Sequence, residues 1–287
     1  MDTWNKFWFF IKDFNKMNNL KTQFLGFINT PYLFDEINTL TQFKLDIKKI
    51  NEFDFNKLNI TEKLPLGKRI ERFFEFYINQ SSNYEFIKSN VQIIHNKQTL
   101  GELDFLIYDK KNQKYLHIEH IYKYYLYDTS FNNEIDRFIG PNKDDSFIKK
   151  IDKLKNKQLP LLYKSETRQY LYGIDINNIE QKVCFKGNIY VPLHLLAKKI
   201  PIVNNNCIKG FYIKYKEFVN QEYFKEFEYF LPLRDDWVSD CNSNQIWKSF
   251  DEVITEIELL LSYKKSSLVW LKNKKEDKIQ SFFITWW

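Results

Sequence analysis

The apolar positions of this chain follow two periods. Trp4, Phe7, Trp8, Ile11 and Phe14 recur at helical spacing. Asn29-Thr-Pro-Tyr interrupts that pattern, and Thr39 to Ile50 resumes it, so residues 1–60 are predicted to be a helical subdomain. A second helix follows Pro65: over Leu66 to Asn79 the residues Ile70, Phe73, Phe74 and Tyr77 make one face. Arg69, Arg72 and Glu75 fall off that face, and Glu71 lies at its edge.

The period then drops to two. Asn90 to His95, Thr99 to Tyr108 and Tyr115 to Tyr127 are predicted strands. Asn96-Lys-Gln and Asp109 to Gln113 are short polar turns, so the three strands should form an antiparallel meander. Alternation in the second strand would put Leu103, Phe105 and Ile107 on one face and Glu102, Asp104, Leu106 and Tyr108 on the other. Gly140-Pro-Asn opens a further helix, capped by Asn142 or Asp144, buried through Phe147, Ile151 and Leu154, and ended by Pro160. Gln169 to Ile176 reads as the next strand. Beyond it, Ile189 to Val191 and Gly210 to Tyr215 suit strands, Phe250 to Leu261 a helix, and Leu268 to Leu271 with Ser281 to Trp286 a hairpin around Lys272 to Lys278. The expected organisation is a helical subdomain over 1–60, a core over 61–180 in the order helix, three strands, helix, strand, and an α+β extension over 181–287.

Composition narrows the class. With 287 residues, 44% hydrophobic and 28% charged, the chain can bury a core and is neither disordered nor fibrous. Cys184, Cys207 and Cys241 stand far apart with no CxxC pair, which argues against a disulfide framework and for a reducing cytoplasm. No uncharged run approaches ~18 apolar residues, so no membrane span is expected. The net charge of +6 tilts toward a polyanionic partner. Lys143 to Lys157 and Lys209 to Lys216 are two lysine-rich stretches interleaved with Tyr and Phe, suited to sequence-independent phosphate contacts. Walker loops, G-x-G-x-x-G fingerprints and G-x-S-x-G elbows are absent from the sequence.

The sharpest chemical feature is an acidic strand pair. Asp104, in Gly101-Glu-Leu-Asp-Phe-Leu, and Glu119, in His117-Ile-Glu-His, fall on adjacent antiparallel strands, where two carboxylates can share a face. Carboxylates brought together resist ionisation unless a cation lies between them, and hard divalent cations prefer such oxygen ligands. Lys123 follows four residues after Glu119 at strand periodicity. His117 shares the face of Glu119, but no third ligand at zinc-motif spacing accompanies that pair.

These residues resemble the PD-(D/E)XK nuclease superfamily, whose αβββαβ core, built on a mixed central sheet, has the order read above. More closely, the chain resembles the bacterial family labelled domain of unknown function 1853, through Leu66-Gly-Lys-Arg-Ile-Glu-Arg-Phe, Leu100-Gly-Glu-Leu-Asp-Phe-Leu, Ile118-Glu-His-Ile-Tyr-Lys-Tyr-Tyr-Leu, Gly140-Pro-Asn and Gln158-Leu-Pro-Leu. The resemblance implies a metal-dependent nuclease using Mg²⁺ or Mn²⁺, with nucleic acid as substrate. It implies metal binding by Asp104, Glu119 and the backbone carbonyl of His120, the motif lysine at Lys123 and the helical acid at Glu71. Asp145, Lys150 and Gln158 match polar positions of the second helix, and Lys143, Lys149, Lys150, Lys153 and Gln158 are the expected nucleic-acid contacts. The superfamily's usual Glu-X-Lys would place the lysine at 121, where this chain has Ile121; Lys123 lies two residues further, about 6–7 Å along a strand. The displaced lysine leaves a second expectation standing: an inactive module of the same fold that binds nucleic acid or a protein partner.

Overall fold

The computed structural model describes residues 19–37, 39–60, 63–241, 245–273 and 278–287. The predicted stripe from Trp4 to Phe14 lies outside them, as does most of the predicted turn between Lys272 and Lys278. The protein is mixed α+β with a large mixed sheet. Its chain divides into two units, one within residues 1–30, 38–121 and 157–184, the other within 31–37, 122–156 and 185–287. Each unit gathers stretches distant in sequence, so the division does not follow the expected limits at 60 and 180.

The first unit is built on helix α1 (Leu66–Gln80) and the meander β1 (Tyr84–His95), β2 (Gln98–Asp109) and the leading half of β3 (Lys114–Tyr127). Pro65 precedes the first helical residue and α1 ends at Ser81, whose amide returns to Tyr77 and Ile78. Its apolar side buries Ile70, Phe73, Phe74 and Tyr77 as predicted. Phe73 and Phe76 meet Phe24 from the helical stretch 19–29, with ring centroids 6.0 and 5.1 Å apart, and Phe74 meets Phe105 of β2 at 4.6 Å. Such tilted and edge contacts suit the aromatic quadrupole. Arg69 departs from expectation: it is buried, with Nη1 donating to Gln23 Oε1 at 3.2 Å, so its stem joins the packed face.

Strict alternation does not hold along β2. Leu103 and Leu106, one odd and one even position, both join the cluster of Leu161, Leu162, Leu171 and Ile179. Phe105 turns to Phe74 of the helix, and Glu102 comes within 3.5 Å of Lys68 on the same helix. The side-chain phase therefore slips at Asp104. On the partner strand Ser89 pairs with Phe105 and Val91 with Leu103, and the intervening Asn90 has φ +52°. That left-handed residue kinks the ladder, as a short polar side chain tolerates.

Four other expectations are corrected. Gln169 to Ile176 is not a strand: Ser165–Tyr170 is a 3₁₀ turn, and the consecutive positive φ of Tyr172 and Gly173 breaks any extended course. The strand that follows is β5 (Ile179–Pro192). Thr39 to Ile50 is not helical; Thr39 has φ +73° and Leu40–Thr41 is a short strand. The helix after Gly140 is capped by Ser146, not Asn142 or Asp144, because Ser146 Oγ accepts from Lys149 N. That helix, α2 (Phe147–Lys153), does not stop at Pro160 but continues as a π turn over Leu154–Gln158 and a last helical turn over Leu159–Leu161, where proline fits an N-terminal position.

The second unit holds the trailing half of β3, the short β4 (Phe138–Ile139) paired with it, β5 from Phe185 onward, β6 (Ile208–Lys214), helix α3 (Tyr215–Asn220), β7 (Glu228–Phe230), helix α4 (Phe250–Ser262), β8 (Ser267–Lys272) and β9 (Ile279–Thr285). β6 runs parallel to β5 and to β9, and β8 joins β9 to β7 through antiparallel pairs. Phe211, Phe218, Phe250, Val253, Ile257, Val269, Phe282 and Ile284 form its core between sheet and helices. Among the described residues no helix is long and apolar enough to cross a membrane.

Candidate functional site

Two short networks in the first unit carry the acidic residues. Pairing between β2 and β3 runs from Asp109↔Lys114 to Phe105↔Ile118 and stops one step short of Asp104 and Glu119. The next amide, that of His120, donates instead to Asp104 Oδ2 at 2.9 Å. The carboxylate thus takes the place of a ladder carbonyl, which satisfies the amide and fixes Asp104 at the end of the ladder. The His120 ring turns the other way, among Phe74, Phe105 and Phe27, at 4.8, 6.1 and 5.6 Å.

Glu71 ion-pairs with Lys68 one helical turn earlier, with Nζ 2.7 Å from Oε2. The same ammonium lies 2.9 Å from Asn90 Oδ1 and 3.5 Å from Glu102 Oε1. Partial burial pulls the Lys68 pKa down, but the bond to Glu71 and the charges of Glu71, Glu102 and Asp104 outweigh it and hold the group above its ordinary value. Glu71 is itself raised, first by desolvation and further by Glu102, against the lowering effect of Lys68 and Arg72. One cation is therefore drawn between two carboxylates, with the charge of a third adding to the pull.

Glu119 is fully buried, yet both its oxygens have partners. His117 Nε2 lies 3.1 Å from Oε1, and Gln158 Nε2 donates to Oε2. His117 Nδ1 in turn lies 2.9 Å from Gln181 Nε2, which also donates to Leu159 O at 2.8 Å.

Lys123 belongs to the second unit, where its Nζ lies 2.5 Å from Asp145 Oδ2. In the same unit the Lys143 ammonium rests 3.8 Å above the Trp287 ring. Lys149 and Lys153 are exposed on α2, and Lys150 is half-buried.

Glu71 and Glu102 are thus gathered around Lys68 and Asp104 is held by the His120 amide, while Glu119 and Gln158 are joined through a bond that sequence spacing did not indicate. Lys68, Asn90, Glu102 and Gln181 escaped the sequence reading as site residues. Lys68 stands three residues before Glu71, a helical pairing that was legible; Asn90 and Gln181 carry no local signal. The donor chemistry suits a hard divalent cation, since these are carboxylate oxygens that have already drawn in an ammonium. Among the described residues, however, no group of three or more His, Cys, Asp and Glu is placed to hold a metal ion. The oxygens are engaged by Lys68, the His120 amide, His117 and Gln158.

Searches among curated proteins and among solved structures found no match. The model of one family, described as a domain of unknown function, DUF1853, matches residues 35–280, most of the chain, and the protein belongs to that family.

Proposed function

We propose that this protein is a metal-dependent nuclease that hydrolyses phosphodiester bonds through a PD-(D/E)XK-type site on an αβββαβ core. The observation that carries the reading is the convergence of Glu71 and Glu102 on one ammonium that the Asp104 charge also stabilises, a concentration of hard anionic donors that calls for a cation. Glu71, Asp104 and Glu119 are the side chains that would hold Mg²⁺ or Mn²⁺, with the His120 carbonyl beside them. The bound ion would polarise a phosphate and acidify water. The chain's own part is positional. The His120 amide fixes Asp104, and His117 and Gln158 fix Glu119. Lys123 is the candidate for neutralising charge on phosphate, and Lys149 and Lys153 for non-specific strand contacts. Incubation with single- and double-stranded DNA and RNA plus Mg²⁺ or Mn²⁺ should give cleavage, reduced about 100-fold or more by Asp104→Ala. No cleavage of any substrate, or cleavage indifferent to that substitution, rejects the proposal.

One observation favours a second reading. The partners of Glu119 and Glu71 are protein groups that satisfy them without any ion. That suits a non-catalytic module binding nucleic acid or a protein partner. Salt-dependent nucleic-acid binding with no calorimetric Mn²⁺ binding would select it.

A further inference from the structure

The Glu119 network contains enough hydrogen-bond geometry to assign donors. Gln181 Nε2 lies 2.8 Å from the carbonyl of Leu159, which only accepts, so the amide nitrogen and not the oxygen must face it. The second proton of that nitrogen then points to His117 Nδ1 at 2.9 Å, which must accept. An imidazole that accepts at Nδ1 carries its proton at Nε2, and that proton faces Glu119 Oε1 at 3.1 Å. Gln158 closes the chain from the other side, donating to Oε2. Three side chains thus run in one donor direction, from Gln181 through His117 to Glu119, where Gln158 donates from the opposite side. His117 and Glu119 are fully buried, so water cannot substitute for any of these partners without rearrangement.

We infer that His117 is a positioning residue, locked by Gln181 in the Nε2–H form so that it presents a donor to Glu119 and fixes the carboxylate's orientation. This extends the nuclease proposal, because it assigns the support of a side chain that reading places in the site. Partners of this kind commonly change metal affinity about 10–100-fold when removed. Gln181 is the informative position, since it touches neither Glu119 nor any group proposed to meet metal or substrate. Gln181→Leu removes the donor to Nδ1, so the Nε2–H form is no longer imposed.

The test has two readouts. Imidazole ¹⁵N spectra of the wild-type protein should show His117 protonated at Nε2 and bare at Nδ1; the Nδ1–H form would overturn the inference. Calorimetric Mn²⁺ binding should weaken about 10-fold or more in Gln181→Leu and His117→Leu, and be largely restored in His117→Gln, whose amide offers a donor near Nε2. Mn²⁺ affinity unchanged in Gln181→Leu, in a protein of unchanged melting temperature, would also overturn it. If wild type binds no Mn²⁺, the metal-dependent nuclease reading fails by itself, and the spectra still decide the tautomer.

Discussion

At the scale of single residues, the acidic positions differ most in who holds them. Glu71 is mostly covered but its partner Lys68 is half in solvent, so their pairing is adjustable, whereas Glu119 is closed in on both oxygens. Glu71 keeps a raised pKa because desolvation outweighs the lysine. The folded state therefore binds a proton at Glu71 more readily than the unfolded chain. The stability this contributes is present below the ordinary carboxylate pKa and is lost as pH rises through the raised value. Lys68 follows the complementary rule at alkaline pH: its contribution is present below the ordinary lysine pKa and lost as pH rises through its own raised value. Lys68→Met removes the hydrogen bond and the charge that lower Glu71 while leaving Glu102 to raise it. A carboxyl-carbon NMR titration should show the Glu71 midpoint move upward, and an unmoved midpoint would mean that Lys68 does not govern this carboxylate.

Elements were legible where one period dominated and illegible where a backbone special or a buried polar residue intervened. Helix α1 was clear because its apolar stripe runs unbroken for four turns, and the meander was clear because polar turns punctuate it. Strand β5 was only partly seen, since Lys186, Gly187 and Asn188 interrupt its apolar run although Lys186 and Asn188 are buried. The false strand at 169–176 has suitable composition, but Tyr172 and Gly173 both take positive φ. The phase slip in β2 depends on Asn90, a residue on another strand, so no window around Asp104 could reveal it. Glycine offers a test at this scale. Gly210 of β6 pairs with Ser281 of β9, and a Cβ on it would lie 2.0 Å from the Ser281 carbonyl oxygen. That atom belongs to the sheet backbone and cannot swing aside. Gly210→Ala should cost about 3 kcal/mol or more in denaturant unfolding, or prevent folding. Gly67, in the first turn of α1, has open space where its Cβ would be, so Gly67→Ala should be neutral or stabilise by up to about 1 kcal/mol. Equal effects at the two glycines would contradict this packing of β6 on β9.

For the whole molecule, the net charge of +6 is too diffuse to name a partner, and what matters is which cations are uncommitted to a neighbour. The sequence shows a lysine-rich run from Lys143 to Lys157 but not how differently its members are held. Lys143 lies against the Trp287 ring, in a cation–π contact that competes with phosphate, whereas Lys149 and Lys153 project from α2 into solvent. If the protein binds nucleic acid, log affinity should fall linearly with log salt concentration, by ~0.7–0.9 per phosphate neutralised. Fluorescence anisotropy with a labelled single strand, titrated between about 50 and 200 mM salt, measures that slope. Lys149→Gln combined with Lys153→Gln should flatten it by about 1.5, whereas Lys143→Gln should flatten it by less than half as much as that pair. Because phosphate contacts carry no sequence information, the loss should be uniform across oligonucleotides of different sequence. A slope unchanged by the double substitution would remove α2 from the nucleic-acid contact surface. Binding insensitive to salt would argue that the excess of positive charge serves a partner other than a polyanion.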